Sequence, residues 1–287
     1  MSNQWEKVTI QANLVTLPDI YWQLKEILDS HDYSMQDVAQ LIVYDPGLTA
    51  RMLRIVNSAY FGFAAKIDTV THAVSILGVQ QIRDLVLATA IADALGDYEC
   101  EHLDVKQFWL RSVYRAIAAR NLAGICSLMD GERMFVAGLL SGIGQLITYQ
   151  SIPVLAQQAQ REAEASGKPL HQVEREVIGF DHAQVASVLM KNWQLPDSLV
   201  AVIKHHLEPD PAAEYLLDTA IVHIAALIGD AFAQNRPLEE VLTRVDRHAW
   251  DATGLDTERC EAVDAEVSEQ LNSVVNMLFP KLQRAAG

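Results

Sequence analysis

The residues best suited to chemistry are three histidines. His182 follows Asp181 at a helix-start signal, and His205-His206 form an adjacent pair on a helix opened by Pro196. Imidazole binds zinc and nickel and titrates near neutrality. Neighbouring residues on a helix point about 100° apart, so both members of the pair cannot readily face one metal. A weak site using His182 with either His205 or His206 is the metal chemistry these residues suggest. Ordinary hydrogen-bonded histidines are the simpler reading, and no cofactor is expected.

Arg111, Arg115 and Arg120 share one predicted helix, and Arg115 and Arg120 are expected to make surface ion pairs. A second basic group lies within 34–60, which reads as helix, tight turn, helix, the outline of a DNA-binding helix-turn-helix. Arg51, Arg54 and Asn57 fall there at i, i+3 and i+6 on one helix face, a plausible base- or phosphate-contacting trio. Against a DNA-binding regulator stand a formal net charge of −15, which repels phosphate backbones, and apolar positions on both sides of that helix. Other catalytic templates fail. Gly142-Ile143-Gly144 lacks a third glycine and a preceding strand, Ser141 is not in a Gly-x-Ser-x-Gly elbow, and there is no Walker-type lysine motif.

Helix signals dominate the elements that must position these groups. Ser34 stands three residues before Asp37, a capping box, and Asp45-Pro46 reads as an N-cap with proline at the first helical position. Gly78 separates a short helix (73–77) from a longer one (79–95). A long helix is predicted from 105 to about 128, and another after Gly131 that carries Gly138 to Gly144. Asp181 is a predicted N-cap. Beyond Pro211, an apolar helix from 212 to 233 and an amphipathic one from about 256 to 279 read as core or as a homodimer surface. The fold class is all-α, an irregular multi-helix bundle.

The chain has 287 residues, enough for a sizeable core and two subdomains. No uninterrupted apolar run reaches the roughly 18 residues of a membrane span, and the N-terminus has no secretory pattern. Cys100, Cys126 and Cys260 are few and widely spaced, which argues against a disulfide framework. The expected address is the cytoplasm, away from membranes.

Five ordered motifs carry a family resemblance. Arg51-Met52-Leu53-Arg54 leads into Asn57-Ser58-Ala59-Tyr60-Phe61-Gly62. Ala73 to Gly78 leads into Ile82-Arg83-Asp84-Leu85-Val86. Phe108-Trp109 with Ser112, Ala137-Gly138-Leu139-Leu140, and Gly179-Phe180-Asp181-His182 complete the series. Over 13–210 the chain resembles the HDOD family, the HD-related output domain of bacterial signalling proteins. The resemblance implies an N-terminal helical subdomain (13–100) and an HD-like half (101–210) that 211–287 completes. It also implies likeness to the HD and HD-GYP phosphohydrolases, whose metal sits among histidines and aspartates.

At the family's ligand positions this chain departs. Arg111 stands in place of the first histidine, Ser141 and Gly142 replace the His-Asp pair, and Ala226 matches the expected aspartate. A guanidinium repels a dication, and glycine and alanine offer it no donor. The expectation is a non-enzymatic output or adaptor module that acts on signalling proteins. Arg111 is read either as a structural ion pair with a nearby Asp or Glu or, with Ser141 and His182, as the holder of a small anionic ligand or nucleotide in the degenerate pocket. Asn57 and Ser58 near a helix end are read first as satisfying free carbonyls and amides; the alternative is a partner groove of Arg51, Arg54, Asn57, Ser58 and Tyr60. A metal-dependent phosphohydrolase of nucleotides or cyclic dinucleotides is the rival reading.

Overall fold

The protein is seen here as a computed structural model that describes residues 2–30, 32–58, 60–96, 98, 100–210 and 214–280. Among these residues all regular structure is helical. The first six helices are α1 (Ser2–Leu14), α2 (Asp19–Asp29), α3 (Met35–Val43), α4 (Pro46–Val56), α5 (Val70–Leu77) and α6 (Val79–Leu95). Then come α7 (Val105–Ile125), α8 (Gly131–Leu140), α9 (Ile143–Ser151), α10 (Pro153–Ser166), α11 (Leu170–Val177) and α12 (His182–Asn192). The last five are α13 (Asp197–His205), α14 (Leu216–Gln234), α15 (Leu238–Leu242), α16 (Arg247–Thr253) and α17 (Thr257–Leu278).

The chain divides into two compact units: 1–16 with 99–264, and 17–98 with 265–287. The division is not linear, unlike the cuts at 100 and 210 drawn from sequence. The first turns of the chain pack with the HD-like helices, and α17 runs from one unit into the other. Helix α1 has no counterpart in the sequence expectations because its apolar positions form no clear stripe.

Local signals set most of the helix starts. Ser34 and Asp37 form the capping box, with Asp37 Oδ2 accepting from the Ser34 amide at 2.8 Å. Asp45 Oδ1 accepts from the Leu48 amide at 2.9 Å, ahead of Pro46. Asp181 and Gln184 cap α12 reciprocally. Each cap satisfies amides that the first helical turn leaves without partners. Gly78 takes φ +80°, a left-handed conformation natural to glycine, and there the chain turns by 118° between α5 and α6.

Three boundaries differ from expectation. The helix after Gly131 stops at Leu140, and α9 starts afresh at Ile143, so Ser141-Gly142 is a corner. Helix α5 starts at Val70 rather than at 73, capped by Thr69. The apolar helix expected from 212 is described from Leu216, and 212 itself lies outside the described residues. Helix α14 is long and apolar enough to cross a membrane, although Asp218, His223 and Asp230 break up its apolar run. In this fold 67% of that stretch is buried within the protein.

In the first unit α7 packs against both α8 and α14. Glycines make the tightest approaches possible: a Cβ on Gly138 would lie 2.5 Å from Arg115 O, and one on Gly144 would lie 1.9 Å from His182 O. Trp193 is buried here and donates from Nε1 to Val15 O at 2.9 Å, which ties the chain's start to α12. In the other unit Leu24, Ile42, Met52, Ile82, Ile91 and Leu95 are buried. Each such side chain contributes about 1.5–3 kcal/mol over leaving it in water.

Candidate functional site

The site sits in the first unit, where α7, α9, α12 and α14 meet. Helix α7 brings Arg111 and Arg115 to one face, four residues apart. Arg115 is only 3% exposed. Its Nη2 donates to Asp230 Oδ1 on α14, and its Nη1 lies 3.4 Å from Ser141 Oγ. Ser141 Oγ itself donates to Gly138 O at 2.8 Å. Glycines line the bed in which the arginine lies: a Cβ on Gly142 would come within 2.8 Å of Nη1, and one on Gly229 within 2.4 Å of Cγ.

Arg115 is therefore not a surface ion pair, as expected from sequence, but the filling of the Ser141-Gly142 corner. The two glycines that admit it lie far apart in the chain, Gly142 at the corner before α9 and Gly229 on α14, so no local pattern marks its burial. Arg120, by contrast, does pair with a carboxylate, Glu132 at 3.3 Å, but that carboxylate is buried.

Arg111 occupies a different place. Its Nη2 donates to Gln145 Oε1 on α9, a neutral partner, and its Nη1 is 3.9 Å from Asp230 Oδ1, too far for a tight pair. Its Nε finds no acceptor. The side chain is 18% exposed and stands over the Phe108 ring. Burial, followed by the repulsion of Arg115, pushes its pKa down to about 10 against the opposing pull of Asp230. Burial alone would raise the Asp230 carboxyl, but Arg115 and Arg111 hold it below the usual carboxylate range. Asp230, one turn beyond Ala226, is the carboxylate that sequence reasoning missed. The four-residue spacing puts both on one face of α14, which is the signal that could have found it.

The histidines divide. His182 Nδ1 contacts Glu174 Oε2 at 2.6 Å, and the same oxygen accepts from the His182 amide at 3.0 Å. His206 turns inward beside it, with ring centroids 6.2 Å apart, while His205 stays outside this cluster. The His206 Nδ1 lies 2.6 Å from Ile203 O and so carries the proton, which leaves Nε2 buried without a partner. Burial, with His182 nearby, pushes the His206 pKa well down. His223 from α14 donates from Nδ1 to His206 O at 2.8 Å and accepts from the Asp246 amide at 3.1 Å, so both ring nitrogens are spent.

These groups wall a cavity of about 470 Å³. Of the three residues predicted for the pocket, Arg111 and His182 line it; Ser141 does not, because Arg115 covers it. Lys168, Arg236 and Arg244 add positive charge to that of Arg111 and Arg115, against two carboxylates, Glu164 and Asp230. In a chain of net charge −15 this is a local inversion of sign.

A dication does not fit the corner. Its donors would be a serine hydroxyl already engaged, a glycine and a guanidinium, and like charges repel. No group of three metal-ligating side chains exists among the described residues.

The groove proposed in the other unit is mostly consumed internally. Asn57 Nδ2 donates to Leu53 O and Ile67 O at 2.8 and 2.7 Å, and its Oδ1 accepts from the Ile67 amide at 2.7 Å. Ser58 Oγ donates to Ile55 O at 2.7 Å, and Tyr60 is buried. Ala59 lies outside the described residues. Arg51 pairs with Asp93 at 2.6 Å, and Arg54 is exposed. A short hydrogen-bonding residue at a helix end bridges to the next segment here rather than to a partner.

The HDOD domain family matches residues 14–209, and the chain belongs to that family. An uncharacterized protein of Treponema pallidum (strain Nichols) is 25% identical over 204 residues, which is 69% of this chain and 39% of that protein. This chain thus spans well under half the length of that curated relative. The solved structure of a candidate phosphohydrolase from Shewanella amazonensis SB2B shares the fold, with TM-score 0.70 and 24% identity, over 96% of this chain and 97% of that one. A candidate signal transduction protein from Marinobacter aquaeolei VT8 does so with TM-score 0.66 and 21% identity, over 96% of this chain and 65% of that one.

Proposed function

We propose that this chain is a non-catalytic signal-transduction module that works by contact with other signalling proteins, with its HD-like pocket converted from metal chemistry to anion binding. The supporting observation is the Arg115 guanidinium, lodged against Gly142 and bound to Asp230 and Ser141. A fixed cation fills the place where the related hydrolases would need imidazole and carboxylate around a metal. The name of the Marinobacter protein and the meaning of the family name point the same way toward signalling.

A turnover assay tests the reading: p-nitrophenyl phosphate and its bis-ester, with Mg²⁺, Mn²⁺ or Zn²⁺ added in turn. The expected result is no release of nitrophenol above the uncatalysed rate. Metal-stimulated release from either ester would overturn the reading in favour of a phosphohydrolase. DNA binding loses support, since two of its three proposed contacts are already engaged.

A further inference from the structure

We propose that the cavity beside α7 binds a small phosphomonoester, with Arg111 as the clamp on the phosphate. The inference rests on the anion-binding reading above and names the ligand class. Three independent features of the cavity carry it.

First, Arg111 at the deep end has no carboxylate in close contact, although the charges of Asp230 and, farther off, Glu174 reach it. Arg115 takes Asp230, while Arg111 has only the neutral Gln145 in close contact. A mostly buried guanidinium without a tight carboxylate partner costs stability, and a phosphate dianion fits its planar fork of donors. Second, the rim is also cationic. Arg244 is exposed there, and Lys168 and Arg236 share their charge with Glu176 and Glu240 at 2.8 and 3.5 Å. Beside the lining carboxylate Glu164, Arg244 is the rim cation left to meet an incoming anion.

Third, the wall is not uniformly polar. Pro169, Leu170, Leu207 and Leu227 line the same cavity, and its size is that of ordinary small-molecule sites, roughly 300–1,000 Å³. Free phosphate would leave this apolar surface uncovered, whereas an ester with a compact apolar body would cover it.

The experiment titrates the full chain with inorganic phosphate, phenyl phosphate and phenol by isothermal calorimetry. Phenyl phosphate is expected to bind at least tenfold more tightly than inorganic phosphate, and phenol not to bind. Arg111→Gln should weaken both anions at least tenfold, and Arg54→Gln, in the other unit, should leave them unchanged. Arg111→Lys keeps the charge but not the fork, and should recover part of the loss; it also guards against a folding defect in the glutamine variant.

Absence of saturable binding, unaltered binding in Arg111→Gln, or phenyl phosphate no tighter than inorganic phosphate would each overturn the proposal. Release of phenol from bound phenyl phosphate would instead sink the non-catalytic reading and leave the binding site standing.

Discussion

The guanidinium of Arg115 reaches from α7 to the carboxylate of Asp230 on α14, so the carboxylate nearest the HD-like corner is committed to a cation built into the chain. That pairing explains why Ser141 and Gly142 can stand where ligands are expected. The serine accepts from the same arginine, and the glycine gives it room.

Removing Arg115 therefore costs more than a packing defect. Arg115→Met leaves Asp230 facing only the more distant Arg111. Breaking a buried pair costs roughly 3–5 kcal/mol, and the partial exposure of Asp230 puts this case at the lower end. The midpoint of thermal unfolding should fall by about 5–10 °C, read by scanning calorimetry. Arg115→Met with Asp230→Leu should regain part of the loss, since the Asp230 charge is then gone and only Arg111 loses a distant partner.

Asn57 should behave as a structural clamp. Asn57→Ala abandons both hydrogen bonds to Ile67 and one to Leu53, and should destabilise by about 1–3 kcal/mol in denaturant titration. Arg54→Ala, at an exposed position on the same helix, should stay within about 0.5 kcal/mol of the parent. A reversed order would mean that the corner serves binding rather than folding.

Stability should fall on mild acidification. His171, His206 and His223 all have folded pKa values lowered, chiefly by burial. The unfolded chain then binds more protons than the folded one, so stability rises with pH. The contribution is complete above the unfolded value of about 6.5 and drains away as pH falls from there towards the folded values. Asp230 and Glu208, held low, lose theirs only further down, through the carboxylate range. Unfolding midpoints should drop between pH 7 and pH 5, and His206→Gln should flatten that slope.

Much of this was legible in the chain. Ser34 with Asp37 and Asp45 with Pro46 announced their helices because caps act through neighbours in sequence. The five motifs placed the family, and the departures at Ser141, Gly142 and Ala226 were expected from that resemblance. Arg115 could not be read in the same way. Its burial depends on Gly142 and Gly229, which only tertiary packing brings to it, and helical spacing gives no sign of which arginine on α7 turns inward. Tertiary use also decided Asn57: its partner Ile67 lies beyond a loop that no local pattern closes.

The proposal that Arg115 takes the place of a metal makes a direct prediction about metal content. Elemental analysis of the purified chain, after incubation with Mn²⁺, Zn²⁺ or Ni²⁺ and exhaustive dialysis, tests it most directly. Far less than one equivalent of any of the three per chain is expected, unchanged in Ser141→Ala. One tightly held equivalent that Ser141→Ala or Asp230→Asn releases would contradict it.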